Sequence, residues 1–119
     1  MGLDLTLLPF DSEHPPFSHT MLSVDRSDFQ PIIDIEERIG KRVPAHFTSF
    51  YSRDELLPQE PHYGRTLTTP YGDPLKYVLV RDIIGTFNDL RDEGGEKNQA
   101  IYRYLLELSS NTKVALYWH

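Results

Sequence analysis

The five histidines, His14, His19, His46, His62 and His119, and the adjacent carboxylates Glu36-Glu37 and Asp92-Glu93 are where acid–base or metal chemistry would first be sought. His14 and His19 flank Pro15-Pro16, with Asp11 and Glu13 close in sequence. Such nitrogen and oxygen donors suit a borderline metal. Their spacing matches no helical i, i+4 pair, and a polar turn accounts for them, so no metal ligand is assigned. General acid–base work needs one carboxylate buried enough to raise its pKa. Glu36-Glu37 falls on a helix opposite an apolar face and Asp92-Glu93 in a Gly-rich turn, so both pairs read as solvated. Ser110-Asn111-Thr112-Lys113 spells S-x-x-K, but it leaves a helix and enters a strand. A serine nucleophile activated by that lysine needs the two on successive helical turns. Gly94-Gly95 before a helix invites a phosphate loop. No G-x-x-x-x-G-K-[ST] accompanies it, and a helix-to-helix turn is the better account. No catalytic residue and no cofactor are assigned.

The candidate binding residues are His62, Tyr63 and Arg65 with Tyr71 and Asp73. Tyr and Arg are enriched at binding hot spots because they combine large contact area with a polar handle. These residues sit in Val43–Asp73, the least regular stretch, rich in proline and aromatics. Irregular backbone lies at the surface, where a large aromatic is available to a second molecule. The plainer reading is that Tyr71 decorates a turn while Tyr63 packs on a sheet.

The elements that must position these residues follow from periodicity. Leu3, Leu5 and Leu7 alternate with Asp4 and Thr6, the pattern of a half-buried strand, which Pro9 is expected to end. His19–Asp25 alternates again, with Leu22 and Val24 on one face. A helix follows, capped by Ser27 or Asp28, with Pro31 in its first turn. Phe29, Ile32, Ile33, Ile35 and Ile39 form its apolar side and Gly40 its end. Arg65–Thr69 and Pro74–Val80 flank Pro70-Tyr71-Gly72-Asp73, predicting a hairpin with Pro70 at i+1 and Gly72 at i+3 of a type I turn. Val80, Ile83, Ile84, Phe87 and Leu90 fall at helical spacing. Glu96–Leu108 is a further helix, with Ala100, Ile101, Tyr104, Leu105 and Leu108 as its apolar face. Val114, Leu116 and Trp118 make a last strand. The order is β-β-α-(loop)-β-β-α-α-β. It predicts an α+β fold: a mainly antiparallel sheet of four to five strands with three helices packed against it.

Size and composition bound the function class. With 119 residues the chain fits one globular domain, 1–119, including the irregular region around 43–73. Hydrophobic residues at 39% and charged residues at 25% are ordinary for a folded protein. Cysteine is absent, which excludes disulfides, thiolate metal sites and thiol nucleophiles. No apolar run approaches the roughly 18 residues of a membrane span. The first residues fit an N-myristoylation pattern, but strand alternation explains each of them. They lack the basic region of a secretory signal, so a cytoplasmic protein is expected. The net charge of −6 lies in the first half: residues 1–60 hold 11 acidic and 5 basic residues, and residues 61–119 hold 7 of each. An acidic chain repels phosphate backbones, so no nucleic-acid partner is expected.

GLDLTLLPF, FSHTMLS, TTPYGDPLKYV and TKVALYWH together resemble a family of small uncharacterised bacteriophage and prophage proteins. The resemblance runs from end to end of the chain and brings no catalytic residue with it. It implies an origin, the host-cell cytoplasm as location, and a bacterial host protein as partner. The expected function is therefore an interaction factor that binds or inhibits a host protein. The alternative is a small enzyme or small-molecule-binding domain, with a pocket beside the sheet.

Overall fold

A computed structural model describes residues 3–11, 20–25, 29–45, 47–49, 64–65, 68–90 and 95–119. The fold is α+β, with an antiparallel sheet and three helices among these residues. Strands β1 (Leu5–Phe10), β2 (Leu22–Val24), β3 (Lys41–Arg42), β6 (Lys76–Leu79) and β7 (Lys113–Trp118) form a five-stranded sheet in the order β2-β1-β7-β6-β3. Strands β4 (Thr48–Ser49) and β5 (Gly64–Arg65) pair separately. The helices are α1 (Gln30–Ile39), α2 (Val80–Leu90) and α3 (Gly95–Glu107). Strand β4 falls within the HFTSFYS stretch, where the sequence admits a short strand, and β5 includes Arg65, the first residue of the expected hairpin arm. Strand β3 is unexpected, since a two-residue pairing leaves no period to read.

Strand β7 lies in the middle of the sheet because its side chains serve two cores. Val114, Leu116 and Trp118 join Leu5, Leu7, Val78, Ile32, Ile83 and Leu105 under the helices. Ala115 and Tyr117 face the other way, onto Leu8, Phe10, Val43, Phe47 and Leu75. Strand β1 is likewise buried at all six positions, so it is not the half-buried strand that its first residues predict. Thr6, at 2% exposure, is covered along with its apolar neighbours. The second face is closed by the chain after β3, which turns through a Phe47 N–H to Pro44 carbonyl bond of 3.0 Å. That turn sets the Phe47 ring edge-on to Phe10, with centroids 4.8 Å apart.

Pro9 ends a ladder but not its strand. Asp4 and His119 exchange both backbone hydrogen bonds, at 2.8 and 2.9 Å. Alternation from that pair puts Pro9 opposite Val114 at a non-hydrogen-bonded position. Its nitrogen thus faces the β2 side, beyond the last β1–β2 pair, Leu7 with Leu22. The missing N–H costs no sheet bond there.

Helix α1 starts after Phe29, with no side-chain cap bond and with Pro31 in the first turn; Ser27 and Asp28 lie outside the described residues. It ends at Gly40, whose N–H bonds the Glu36 carbonyl at 2.8 Å. A Cβ at Gly40 would stand 2.5 Å from that oxygen, so the close approach itself requires glycine. Strand β6 runs straight into α2. The Val80 and Arg81 N–H groups bond the carbonyls of Thr112 and Ser110, at 2.9 and 3.0 Å. The Asp82 carboxylate reaches back to the Leu79 N–H at 2.9 Å, half of a capping box. The side chains of Phe87 and Leu90 lie outside the described set.

Helix α3 is rotated from the expected face. Asn98, Ile101 and Leu105 are its buried residues, with Tyr102 and Leu108 partly buried against the core. Ala100 is exposed and Tyr104 is 36% exposed. The reason is polar. The Asn98 side chain accepts from the Asp25 N–H at 2.9 Å and donates to the Asp25 carbonyl at 3.4 Å, continuing strand-like pairing at the end of β2. No helix among the described residues is long and apolar enough to cross a membrane.

Candidate functional site

The turn between β5 and β6 holds Tyr71 outward. Gly72 donates to the Thr69 carbonyl at 2.9 Å, closing a four-residue turn with Pro70 and Tyr71 at its centre. Thr69 donates in turn to the Asp73 carbonyl at 2.8 Å, and Gly72 sits at φ +89°. This is the three-residue hairpin loop in which a type I turn is followed by a left-handed residue, a place that favours glycine. The Thr69 hydroxyl also accepts from the Tyr71 N–H at 3.3 Å. Of the expected hairpin arms, Thr68 and Pro74 form a bridge, Arg65 pairs with Thr48 of β4, and β6 begins at Lys76; Thr66 and Leu67 lie outside the described residues. Tyr71 stands 54% exposed at the tip.

Beside this tip lies a cleft of about 360 Å³. Helix α1 contributes Ile33, Glu36 and Glu37, the turn contributes Tyr71 and Asp73, β6 contributes Lys76, and β7 contributes Trp118. Trp118 is 8% exposed and packs edge-on against Phe29, with centroids 5.7 Å apart. Its indole N–H donates to the Glu36 carboxylate at 2.7 Å. Glu36 is thus half-buried, where the sequence predicts a solvated residue.

Burial pushes the Glu36 carboxyl above its ordinary value of 4.5. The Trp118 hydrogen bond and the Lys76 ammonium oppose that rise, while Asp73 and Glu37 add to it. Three carboxylates therefore share the cleft with one ammonium. Such a surface attracts a cationic group and offers it apolar and aromatic walls.

Of the residues singled out in the sequence, Tyr71 and Asp73 line this cleft. Arg65 lies in β5 opposite Thr48. His62 and Tyr63 lie outside the described residues, as do His14, His19, His46, Asp92 and Glu93. His119 is described: its Nε2 lies 2.9 Å from the Thr6 hydroxyl, and its ring leans on Tyr117 with centroids 5.4 Å apart. Glu36 and Glu37, set aside in the sequence as a solvated pair, also line the cleft, and Lys76 and Trp118 are site residues that sequence reasoning missed. Glu36 stands four residues after Ile32 and three after Ile33, on the margin of the apolar stripe, and a buried Trp calls for an acceptor. Those two signals are visible in the chain; their meeting is not. Among the described residues no group of three His, Asp or Glu side chains could hold a metal ion. Comparison of the chain with protein-family models, with curated proteins and with solved structures finds no match.

Proposed function

We propose that this protein is an interaction factor that docks a basic segment of a partner protein against the Tyr71 cleft. The observation that carries the reading is the exposed Tyr71 ring on a hydrogen-bonded turn, set beside the half-buried Glu36–Trp118 pair. A ring held by its backbone loses little freedom on binding, and a partly desolvated carboxylate next to it favours an incoming Lys or Arg. His62, Tyr63 and Arg65 remain part of the proposed surface on their sequence pattern alone. The family resemblance makes the partner a bacterial host protein and the host cytoplasm the place of action, with binding or inhibition as the outcome. The acidic balance of the chain disfavours nucleic acid as that partner.

A second reading rests on the raised pKa of Glu36 inside the cleft. Perturbed carboxyls cluster at functional sites. A small enzyme or a domain binding a small amine would use the same recess, with Glu36 as the proton-holding group and Lys76 beside it. One experiment separates the two. The purified protein is used to capture partners from bacterial lysate, and the captured protein is titrated against wild type, Tyr71→Ala and Glu36→Gln. The interaction reading expects each variant to fold and to lose affinity, with Tyr71→Ala costing about 2 kcal/mol or more. Capture that is indifferent to both substitutions defeats it. Saturable binding of a small amine, with no captured protein sensitive to Tyr71, favours the second reading.

A further inference from the structure

A second recess, also of about 360 Å³, shares no lining residue with the Tyr71 cleft. It lies where β3, β6 and β7 meet the start of α2. Lys41, Tyr77, Leu79, Arg81, Asp82 and Lys113 surround it. The sheet register explains the gathering. Lys41 is directly opposite Tyr77 on β3, and Lys113 is directly opposite Leu79 on β7. Tyr77 and Leu79 share one face of β6, so both lysines belong to that face. The Lys113 ammonium lies 5.7 Å from the Tyr77 ring centroid, a cation–π contact. Arg81 stands at the first turn of α2, and its Nη1 donates to the side-chain Oδ1 of Asn111 at 3.1 Å, which orients the guanidinium.

Three cations thus line a recess in a protein whose net charge is −6. Among the described residues that line the recess Asp82 is the acidic one, and one of its oxygens is held by the Leu79 N–H. The lysines stand 72 residues apart in the chain, so no basic run marks them.

We infer that this recess binds a phosphate group. Three cationic side chains on one recess suit a dianion better than a monoanion. A guanidinium flanked by two ammonium groups offers the planar fork and point charges that phosphate oxygens accept. The Tyr77 ring and Leu79 give an apolar wall on which an organic body can rest. The phosphate arrives either as the free ion or as a small phosphate monoester.

The test uses inorganic phosphate, phenyl phosphate and acetate as probes, each at constant ionic strength set with chloride. Binding is followed by the backbone amide NMR signals of Tyr77, Leu79, Arg81 and Lys113. Saturable shifts are expected with both phosphates and weaker binding with acetate. Tighter binding of phenyl phosphate identifies the monoester as the source; equal affinity identifies the free ion. Arg81→Ala and Lys41→Ala, both at exposed positions, are expected to weaken phosphate at least about ten-fold each. Lys97→Ala, at an exposed lysine outside the recess, is expected to leave it unchanged. Shifts that never saturate, acetate binding as tight as phosphate, or equal losses in Lys97→Ala and Arg81→Ala each overturn the inference. Melting curves of every variant confirm that the folded protein is being measured.

Discussion

Trp118 ties the sheet to α1 through two different interactions, ring packing on Phe29 and a hydrogen bond to Glu36. Burial of the Glu36 carboxyl, against the opposing pull of that hydrogen bond, makes stability depend on pH. The folded pKa of Glu36 lies above its ordinary 4.5, so the folded state holds the proton more tightly than the unfolded one. By linkage, the stability tied to that proton is full below pH 4.5 and declines as pH rises through the folded value. Glu36→Gln keeps an acceptor for the indole N–H and removes the titration. Its melting temperature, measured from pH 4 upward, is therefore expected to gain on wild type as pH increases. A constant offset at every pH would show that Glu36 titrates as it does in the unfolded chain. Asn98 is the other decisive polar residue, fully buried and bonded to both backbone groups of Asp25. Asn98→Ala leaves that backbone without its partners, and urea unfolding is expected to show a loss of about 1–3 kcal/mol. The nearby Lys97–Asp25 ion pair, at 3.6 Å and half exposed, contributes little by comparison.

At the scale of elements, α3 shows how an apolar pattern can mislead. Ala100, Ile101, Tyr104, Leu105 and Leu108 make one stripe, while Asn98, Ile101, Tyr102, Leu105 and Leu108 make another that overlaps it. The helix buries the second, because Asn98 finds backbone partners at the end of β2 and Tyr104 can keep its ring in water. Leu105 belongs to both stripes and is 0% exposed. Leu105→Ala is expected to cost roughly 2–5 kcal/mol, read from the denaturation midpoint. Ala100→Glu is expected to change stability by less than about 0.5 kcal/mol, as an exposed helix position should. A large loss from Ala100→Glu would put the helix back on its sequence-predicted face. The turn at Pro70-Tyr71-Gly72 is the opposite case. Its residues fix its geometry by themselves, proline through φ and glycine through its tolerance of positive φ, so it was legible without the fold.

For the molecule as a whole, β7 is the element that joins everything else. It pairs with β1 over residues 113–118 and with β6 over 113–116. Without it, β2-β1 and β6-β3 are two unconnected pairs, and both cores lose their middle. Deletion of residues 114–119 is expected to abolish cooperative unfolding, seen in calorimetry as the loss of the single heat-absorption peak. Retention of one sharp transition by the truncated chain would contradict this placement.

Local patterns of the sequence determined the α+β class, the three helices, the antiparallel character and the Tyr71 turn. Each depends on residues within a few positions of one another: period 2 or 3.6, a proline, a glycine. The tertiary structure alone decided which strands are neighbours and what covers the second face. Periodicity says that Thr6, Leu8 and Phe10 share a side of β1, but not that Phe47 and Tyr117 wait there to bury it. It decided the sites for the same reason. Glu36 and Trp118 are 82 residues apart and meet at 2.7 Å. Lys41 and Lys113 meet on one recess through strands that the chain order keeps apart. Whether a polar side chain is solvated, paired or buried is set by what lies opposite it in space, and that information is carried by packing.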